Sequence, residues 1–309
     1  LDSIFIQIPS YRDLELPKTI VDAVAKASGK YRLVFGIHSC IAYSGEILIP
    51  FIESDLATIK YVESIAPNNI GLQLSRHIAN ELYTDEDYYL QIDAHMRFMP
   101  NWDEIAVADL KYYQDLGIKK PLISGYPPSY HYREDTEVLE DKTVFHTTRM
   151  SFLKNPIAFE KSYIPSQDAV VAPKGCIYGT SVAGGLIFTV GDFAKIKPNK
   201  KIAFWGEEIL IAARAFTHGF TPVLPVHHLL WHLYFDTQPD GFTRRESVWA
   251  DYPDLWPELD MLSKLELIDI FNNARIGDDA LGTERTLEDY GNFAGLDFKN
   301  RRVTQRWGL

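Results

Sequence analysis

The segment Tyr88-Tyr89-Leu90-Gln91-Ile92-Asp93-Ala94-His95 decides how this chain is read. Its first five residues have the aromatic and aliphatic character of a buried strand. The run then stops at an acid, a small residue and a histidine. Asp93 and His95 lie two positions apart, so an extended backbone points both to one side. A carboxylate and an imidazole are both ligands for divalent cations. The same three residues would also make an ordinary polar turn, so the surrounding sequence has to separate the two readings.

Working outward, strands and helices alternate. Residues 4–8 (IFIQI) read as a strand that breaks at Pro9-Ser10. Residues 17–26 read as a helix, with Pro17 suited to its first turn and Ile20, Val21 and Val24 as an apolar stripe. A second strand follows at 33–37, a helix at 74–82, and then the strand at 88–92. This order predicts an α/β fold with a mainly parallel, Rossmann-like sheet flanked by helices. Ligands of such sheets sit outside the carboxyl ends of the strands. Ser10-Tyr11-Arg12 and Asp93-Ala94-His95 both fall at such ends.

Further along, a helix is expected at 102–116, strands at 122–124 and 186–190, an apolar helix at 207–216 and a strand at 221–226. A last helix is expected at 262–271. Residues 126–173 carry Pro127-Pro128, mixed charges and weak periodicity. They read as a long excursion with short strands on the acceptor side of a site. The simplest division is a catalytic domain over residues 1–254 and a C-terminal extension, 255–309, packed on the same domain.

Composition sets outer limits. The chain has 309 residues, 46% of them hydrophobic, which suits a folded protein with a large core. Its net charge of −11 and lack of a long Lys/Arg run argue against extended nucleic-acid binding. Two cysteines, Cys40 and Cys176, do not make a disulfide framework and read as two buried thiols. A cytoplasmic location is therefore expected. No run approaches the ~20 apolar residues of a membrane span, and no signal peptide is visible in the residues present.

Four constellations carry chemistry. Asp93 and His95 could hold a cation, with His232 in Trp231-His232-Leu233-Tyr234-Phe235 as the candidate third ligand. His227 and His228 compete for that role. Phe204-Trp205-Gly206-Glu207-Glu208 enters a helix. Its paired acids suit the macrodipole, or could accept hydroxyl hydrogen bonds from a sugar and stabilise oxocarbenium charge. Ala183-Gly184-Gly185-Leu186 is a turn before a strand, or exposed backbone against a ligand. Ile8-Pro9-Ser10-Tyr11-Arg12-Asp13 could face a nucleotide, although Arg12 could equally pair with Asp13 or Glu15. Arg76, on the helix before the central strand, could reach a diphosphate or sit on the surface.

Taken together, these blocks resemble the GlcNAc-transferases of the cytoplasmic hydroxyproline-modifying type, which have the GT-A glycosyltransferase fold. The resemblance runs through most of the chain. It is carried by residues 8–13, by 86–98 with Trp102-Asp103, by Gly206-Glu207-Glu208-Ile209 and by His232-Leu233-Tyr234. Residues 282–290 and 293–298 continue it. A more distant similarity is to polypeptide GalNAc-transferases, through the Asp-x-His motif and Trp205-Gly206-Glu207-Glu208.

The resemblance implies a UDP-sugar donor, most simply UDP-GlcNAc, a Mn²⁺ or Mg²⁺ cofactor, and transfer with retention to a hydroxyl acceptor. That acceptor is a protein side chain, a glycan or a small molecule. It also implies Asp93, His95 and His232 as metal ligands, and Glu208 as the sugar-contacting acid with Glu207 beside it. Gly185 would approach the donor sugar and Trp205 would belong to the donor-binding set, while Pro9, Ser10 and Arg12 would face the uridine and Arg76 the diphosphate. This sequence departs from the pattern at Ala94, where many relatives have serine. It also lacks a Trp-Gln pair after the second strand, and it matches poorly over 126–173. Two other classes stand beside this reading: a non-catalytic UDP-sugar or nucleotide-binding module, and a metal-dependent hydrolase.

Overall fold

A computed structural model describes residues 1–140, 146–151, 165–172, 174–235, 237–238, 241–272 and 275–304. The remainder of the 126–173 excursion lies outside the described residues. The strands that build the main sheet are β1 (Ser3–Tyr11), β2 (Arg32–Ile41), β3 (Ala57–Ile65) and β4 (Tyr88–Ile92). After the short β5 (Met96–Phe98) come β6 (Pro121–Ser124), β7 (Tyr130–Arg133), β8 (Thr136–Leu139), β9 (His146–Ser151), β10 (Ser166–Val171), β11 (Leu186–Val190), β12 (Thr221–Val223) and β13 (Leu230–His232). The helices are α1 (Leu16–Ala25), α2 (Leu72–Asn80), α3 (Trp102–Asp115), α4 (Glu207–Thr217), α5 (Val248–Asp251), α6 (Trp256–Phe271) and α7 (Leu287–Ala294).

The main sheet has seven strands in the order β12-β6-β11-β4-β1-β2-β3. All neighbouring pairs are parallel except those of β11, which runs antiparallel to both β4 and β6. The chain builds outward from β1 through β2 to β3, then returns by α2 to lay β4 on the other side of β1. That reversal is a topological switch point, and it opens a crevice at the carboxyl ends of β1 and β4. Pro9-Ser10 and Asp93-Ala94-His95 flank it, as the order of elements predicts.

The period-2 geometry of the strands divides the interior into two cores. Ile4, Ile6 and Ile8 of β1 and Leu90 and Ile92 of β4 pack with α1 and α3. Phe5, Tyr89 and Ile187 face the other way, onto α4, α6 and α7. The C-terminal helices thus supply Leu267, Ile270, Phe271 and Tyr290 to the second core. Helix α7 starts with a reciprocal cap between Thr286 and Asp289 and ends at Gly295, φ +71°.

The sequence pattern does not announce β3, an edge strand of mixed exposure over nine residues. Cys40 is buried as expected, whereas Cys176 is only half-buried. Among the described residues, no helix is long and apolar enough to cross a membrane.

Candidate active site

The site is assembled by strand register. β4 ends at Ile92, and Ile92 pairs with Leu186 of antiparallel β11. Gly184-Gly185, just before β11, is thereby laid beside Asp93. A Cβ on Gly185 would lie 2.9 Å from Asp93 Oδ2, so only a glycine lets this backbone approach the carboxylate unhindered. The Gly184 carbonyl accepts hydrogen bonds from Gln91 Nε2 (2.9 Å) and Arg76 Nη2 (3.0 Å). Its N–H donates to Glu208 Oε1 at 2.7 Å. One glycine pair therefore ties the central strand to the acids at the start of α4.

The third histidine arrives by a second ladder. β13 runs antiparallel to β5 and sets His232 opposite Met96. This puts His232 Nε2 3.0 Å from His95 Nε2 and 3.2 Å from Asp93 Oδ2. The ligand atoms of Asp93, His95 and His232 all lie within 4.8 Å of one another. His227, one of the competitors, turns instead to Asp109, with its Nδ1 2.7 Å from Oδ1.

Burial pushes the Asp93 carboxyl up, but the His232 hydrogen bond and the Arg76 charge outweigh it and hold it well below the usual carboxylate range. Burial lowers His232 to about 4, so its ring is neutral at physiological pH. An ionised carboxylate with a neutral imidazole is a donor set suited to a borderline divalent ion. Arg245 adds a second sign of fit, because its guanidinium rests against His95 Nε2. His95 Nε2 therefore already accepts from a cationic group.

These residues floor a cavity of about 460 Å³ whose lining includes Pro9, Ser10, Gly185, Trp205, Glu207 and Glu208. Gly206 has φ +85° and starts α4, turning both acids toward Gly184. Glu207 Oε2 accepts from Gln73 Nε2 (2.8 Å) and from Arg76 Nε (3.4 Å). Glu208 Oε2 accepts from Tyr126 Oη (3.1 Å) and from Gln167 Nε2. Burial pushes Glu208 up to about 7, against the lowering effect of the Gly184 N–H.

Two of the anticipated donor contacts are placed differently. Arg12 does not line the cavity. It has φ +44° and pairs with Glu46 (2.8 Å) and Asp251 (2.6 Å), and Tyr11 Oη donates to the same Asp251 oxygen at 2.7 Å. Arg12 thus clasps the end of β1 to α5. Arg76 is neither on the surface nor in the cavity. It is fully buried, and its Nη2 donates to Asp93 Oδ1 at 2.9 Å. Its charge acts on the carboxylate from behind.

The structure also brings in residues that no local pattern singles out. Tyr126 and Gln167 reach Glu208 from the excursion, and Gln167 sits on β10, paired with β9. Asp13, next to Arg12 in sequence, makes no ion pair with it among the described residues. It contacts His95 instead, Oδ2 to Nδ1 at 2.7 Å. Short-range pattern cannot reveal any of these pairings, because their partners are remote in sequence.

Among solved structures, the chain is similar to GalNAc-T7, whose crystal structure holds UDP, GalNAc and Mn²⁺, with 12% identity and a TM-score of 0.52. The match covers 96% of this chain but 55% of that one, so the chain spans little more than half of that protein. It is also similar to residues 1–349 of S. aureus TarS, with 10% identity, a TM-score of 0.50, and coverage of 97% of this chain and 71% of that one. At such identities the likeness speaks to the fold, and it is the GT-A fold. No curated protein matches the chain by sequence. The family model described as Glycosyltransferase (GlcNAc) matches residues 52–300, and with its sheet, switch-point cavity and Asp-x-His strand end the chain belongs to that glycosyltransferase family.

Proposed function

We propose that this protein moves GlcNAc from UDP-GlcNAc to a hydroxyl acceptor, with retention of anomeric configuration and with Mn²⁺ or Mg²⁺ held by Asp93, His95 and His232. The observation that carries this reading is the convergence of those three side chains in one cavity, whose lining also includes Gly184-Gly185 and Glu207-Glu208. The UDP and Mn²⁺ in the GalNAc-T7 structure support the same ligand class here. A bound divalent cation would supply Lewis-acid stabilisation of the departing diphosphate.

The remaining roles belong to the chain itself. Pro9 and Ser10, at the carboxyl end of β1, are assigned to the uridine, and Ser10 Oγ is buried without a partner among the described residues. Arg76 keeps Asp93 ionised and oriented. Glu208, fixed by the Gly184 N–H on one oxygen, is assigned to a sugar hydroxyl and to the charge that develops at the anomeric carbon. Glu207 shares Arg76 and lines the same cavity. Tyr126 and Gln167 connect Glu208 to the excursion, which is assigned to the acceptor. The resemblance to the hydroxyproline-modifying type makes a hydroxylated protein side chain the first acceptor to try, and a cytoplasmic location follows from the same reading.

The test is release of UDP from a panel of UDP-sugars with Mn²⁺, with and without hydroxyproline peptides, glycans and small hydroxylated acceptors. Mn²⁺-dependent release from UDP-GlcNAc is expected, reduced ~100-fold or more in Asp93→Ala and His232→Ala. No release from any donor, together with wild-type affinity for UDP in both variants, would contradict the proposal.

A further inference from the structure

We propose that Asp13 is a positioning residue that holds His95 in the Nδ1–H tautomer, so that the Nε2 lone pair is presented to the cation. The inference rests on the metal reading above but concerns a residue outside the ligand set. Asp13 Oδ2 lies 2.7 Å from His95 Nδ1, and the two side chains are only 4% and 8% exposed. The other carboxylate oxygen, Oδ1, accepts the Glu15 backbone N–H at 2.9 Å. The carboxylate is thus gripped at both ends and cannot turn away from the ring. Its backbone is fixed as well, by a bridge to Arg245 and by the Leu14 N–H to the Arg244 carbonyl at 3.2 Å.

The opposite edge of the ring makes the same demand. Arg245 rests a guanidinium nitrogen on His95 Nε2. A guanidinium only donates hydrogen bonds, so Nε2 must be the acceptor and Nδ1 must carry the proton. An ionised carboxylate only accepts, so Asp13 requires that proton at Nδ1 too. His232 differs, because among the described residues its buried Nδ1 has no hydrogen-bond partner. The two imidazoles are therefore unequal. Before any ion arrives, Asp13 and Arg245 point the His95 lone pair outward at Nε2, whereas Asp93, 3.2 Å from His232 Nε2, holds the His232 proton on that nitrogen. Outer partners of this kind commonly change metal affinity 10–100-fold.

Asp13→Asn gives a sharp test. The Glu15 N–H still needs an oxygen at the Oδ1 position, so the Asn amide NH₂ falls opposite His95 Nδ1. That nitrogen must then accept, and the ring proton moves to Nε2, the atom that faces the ion. Long-range ¹H–¹⁵N NMR of histidine-labelled, metal-free protein should show Nδ1–H for His95 in the wild type and Nε2–H in Asp13→Asn. Mn²⁺ affinity, measured at saturating UDP, should fall about 10–100-fold in the variant. Asp109→Asn alters a His–Asp pair of the same 2.7 Å length at His227 and should leave Mn²⁺ affinity unchanged.

An unchanged tautomer, or Mn²⁺ affinity within about twofold of wild type, would overturn the role of Asp13 and leave the metal reading standing. Wild-type protein that binds no Mn²⁺ would overturn the metal reading and this inference with it. Should Asp13→Asn fail to fold, the wild-type spectrum decides, because Nε2–H on His95 refutes the assignment by itself.

Discussion

Gly185 is the residue on which the geometry of the site turns. A Cβ there would meet Asp93 Oδ2 at 2.9 Å and His232 Cδ2 at 3.4 Å. Gly185→Ala should therefore disturb two ligands while leaving the core untouched. The expected outcome is a tenfold or greater loss of Mn²⁺ affinity, ~1.4 kcal/mol or more, with Tm nearly unchanged, measured by titration and thermal melting. Glu208 makes the opposite kind of prediction. Its carboxyl, pushed up to about 7 by burial, takes up a proton in the folded protein that the unfolded chain, near 4.5, gives up earlier. The site therefore costs stability progressively as the pH rises from 4.5 through 7. Glu208→Gln should raise Tm at pH 8 by roughly 1–4 °C while abolishing most transfer, and wild-type activity should fall as the pH drops below about 7. An activity profile flat from pH 5.5 to 8 would argue against an ionised Glu208 in the reaction. At this scale the sequence was only partly legible. Asp93 and His95 declare themselves by their spacing, because a strand has period 2. His232 could be named only in competition with His227 and His228, since 137 residues separate it from His95.

Among the elements, α2 explains why Arg76 was hard to read. Its buried face includes Gln73, Ser75, Arg76 and Asn80, which a polarity pattern assigns to solvent. Each has a partner that only the fold supplies. Gln73 reaches Glu207, Ser75 lies 2.7 Å from His38 Nδ1, and Asn80 reaches the Ala194 carbonyl. Strand β3 escaped notice for a related reason, since an edge strand of mixed exposure offers no continuous apolar run. The buried strands β1, β2, β4 and β11 were legible because both faces are covered. Helix α4 carries its own test. Gly206 combines φ +85° with a Cβ position 2.4 Å from Leu267 Cδ1. Gly206→Ala should cost about 1–3 kcal/mol, read as a lower urea midpoint, and should turn Glu207 and Glu208 out of register with Gly184. A variant with wild-type midpoint and activity would show that α4 tolerates another start.

For the whole molecule, the C-terminal segment is structural as well as adjacent to the site. α6 and α7 bring Leu267, Ile270, Phe271 and Tyr290 onto the face of the sheet that carries Phe5 and Tyr89. α5 holds the end of β1 through Asp251. Removal of residues 255–309 should therefore take α6 and α7 off one side of the sheet, leave α4 there without its packing partners and abolish cooperative unfolding, followed by calorimetry and dye binding to exposed apolar surface. A fragment of residues 1–254 that melts sharply would show instead that the first core suffices. The alternation of strands and helices was enough to foresee the layered α/β architecture. The antiparallel insertion of β11 was not foreseeable, because strand direction is set by pairing partners rather than by local pattern. Yet that insertion delivers Gly185 to Asp93.

The most direct measurement is pulsed electron paramagnetic resonance of Mn²⁺ bound to the protein with UDP. Asp93, His95 and His232 as ligands predict ¹⁴N couplings from two imidazoles, reduced to one in His232→Ala. Mn²⁺ bound with no nitrogen coupling, or with couplings unchanged in His232→Ala and His95→Ala, would contradict the assignment of this cavity floor as the metal site.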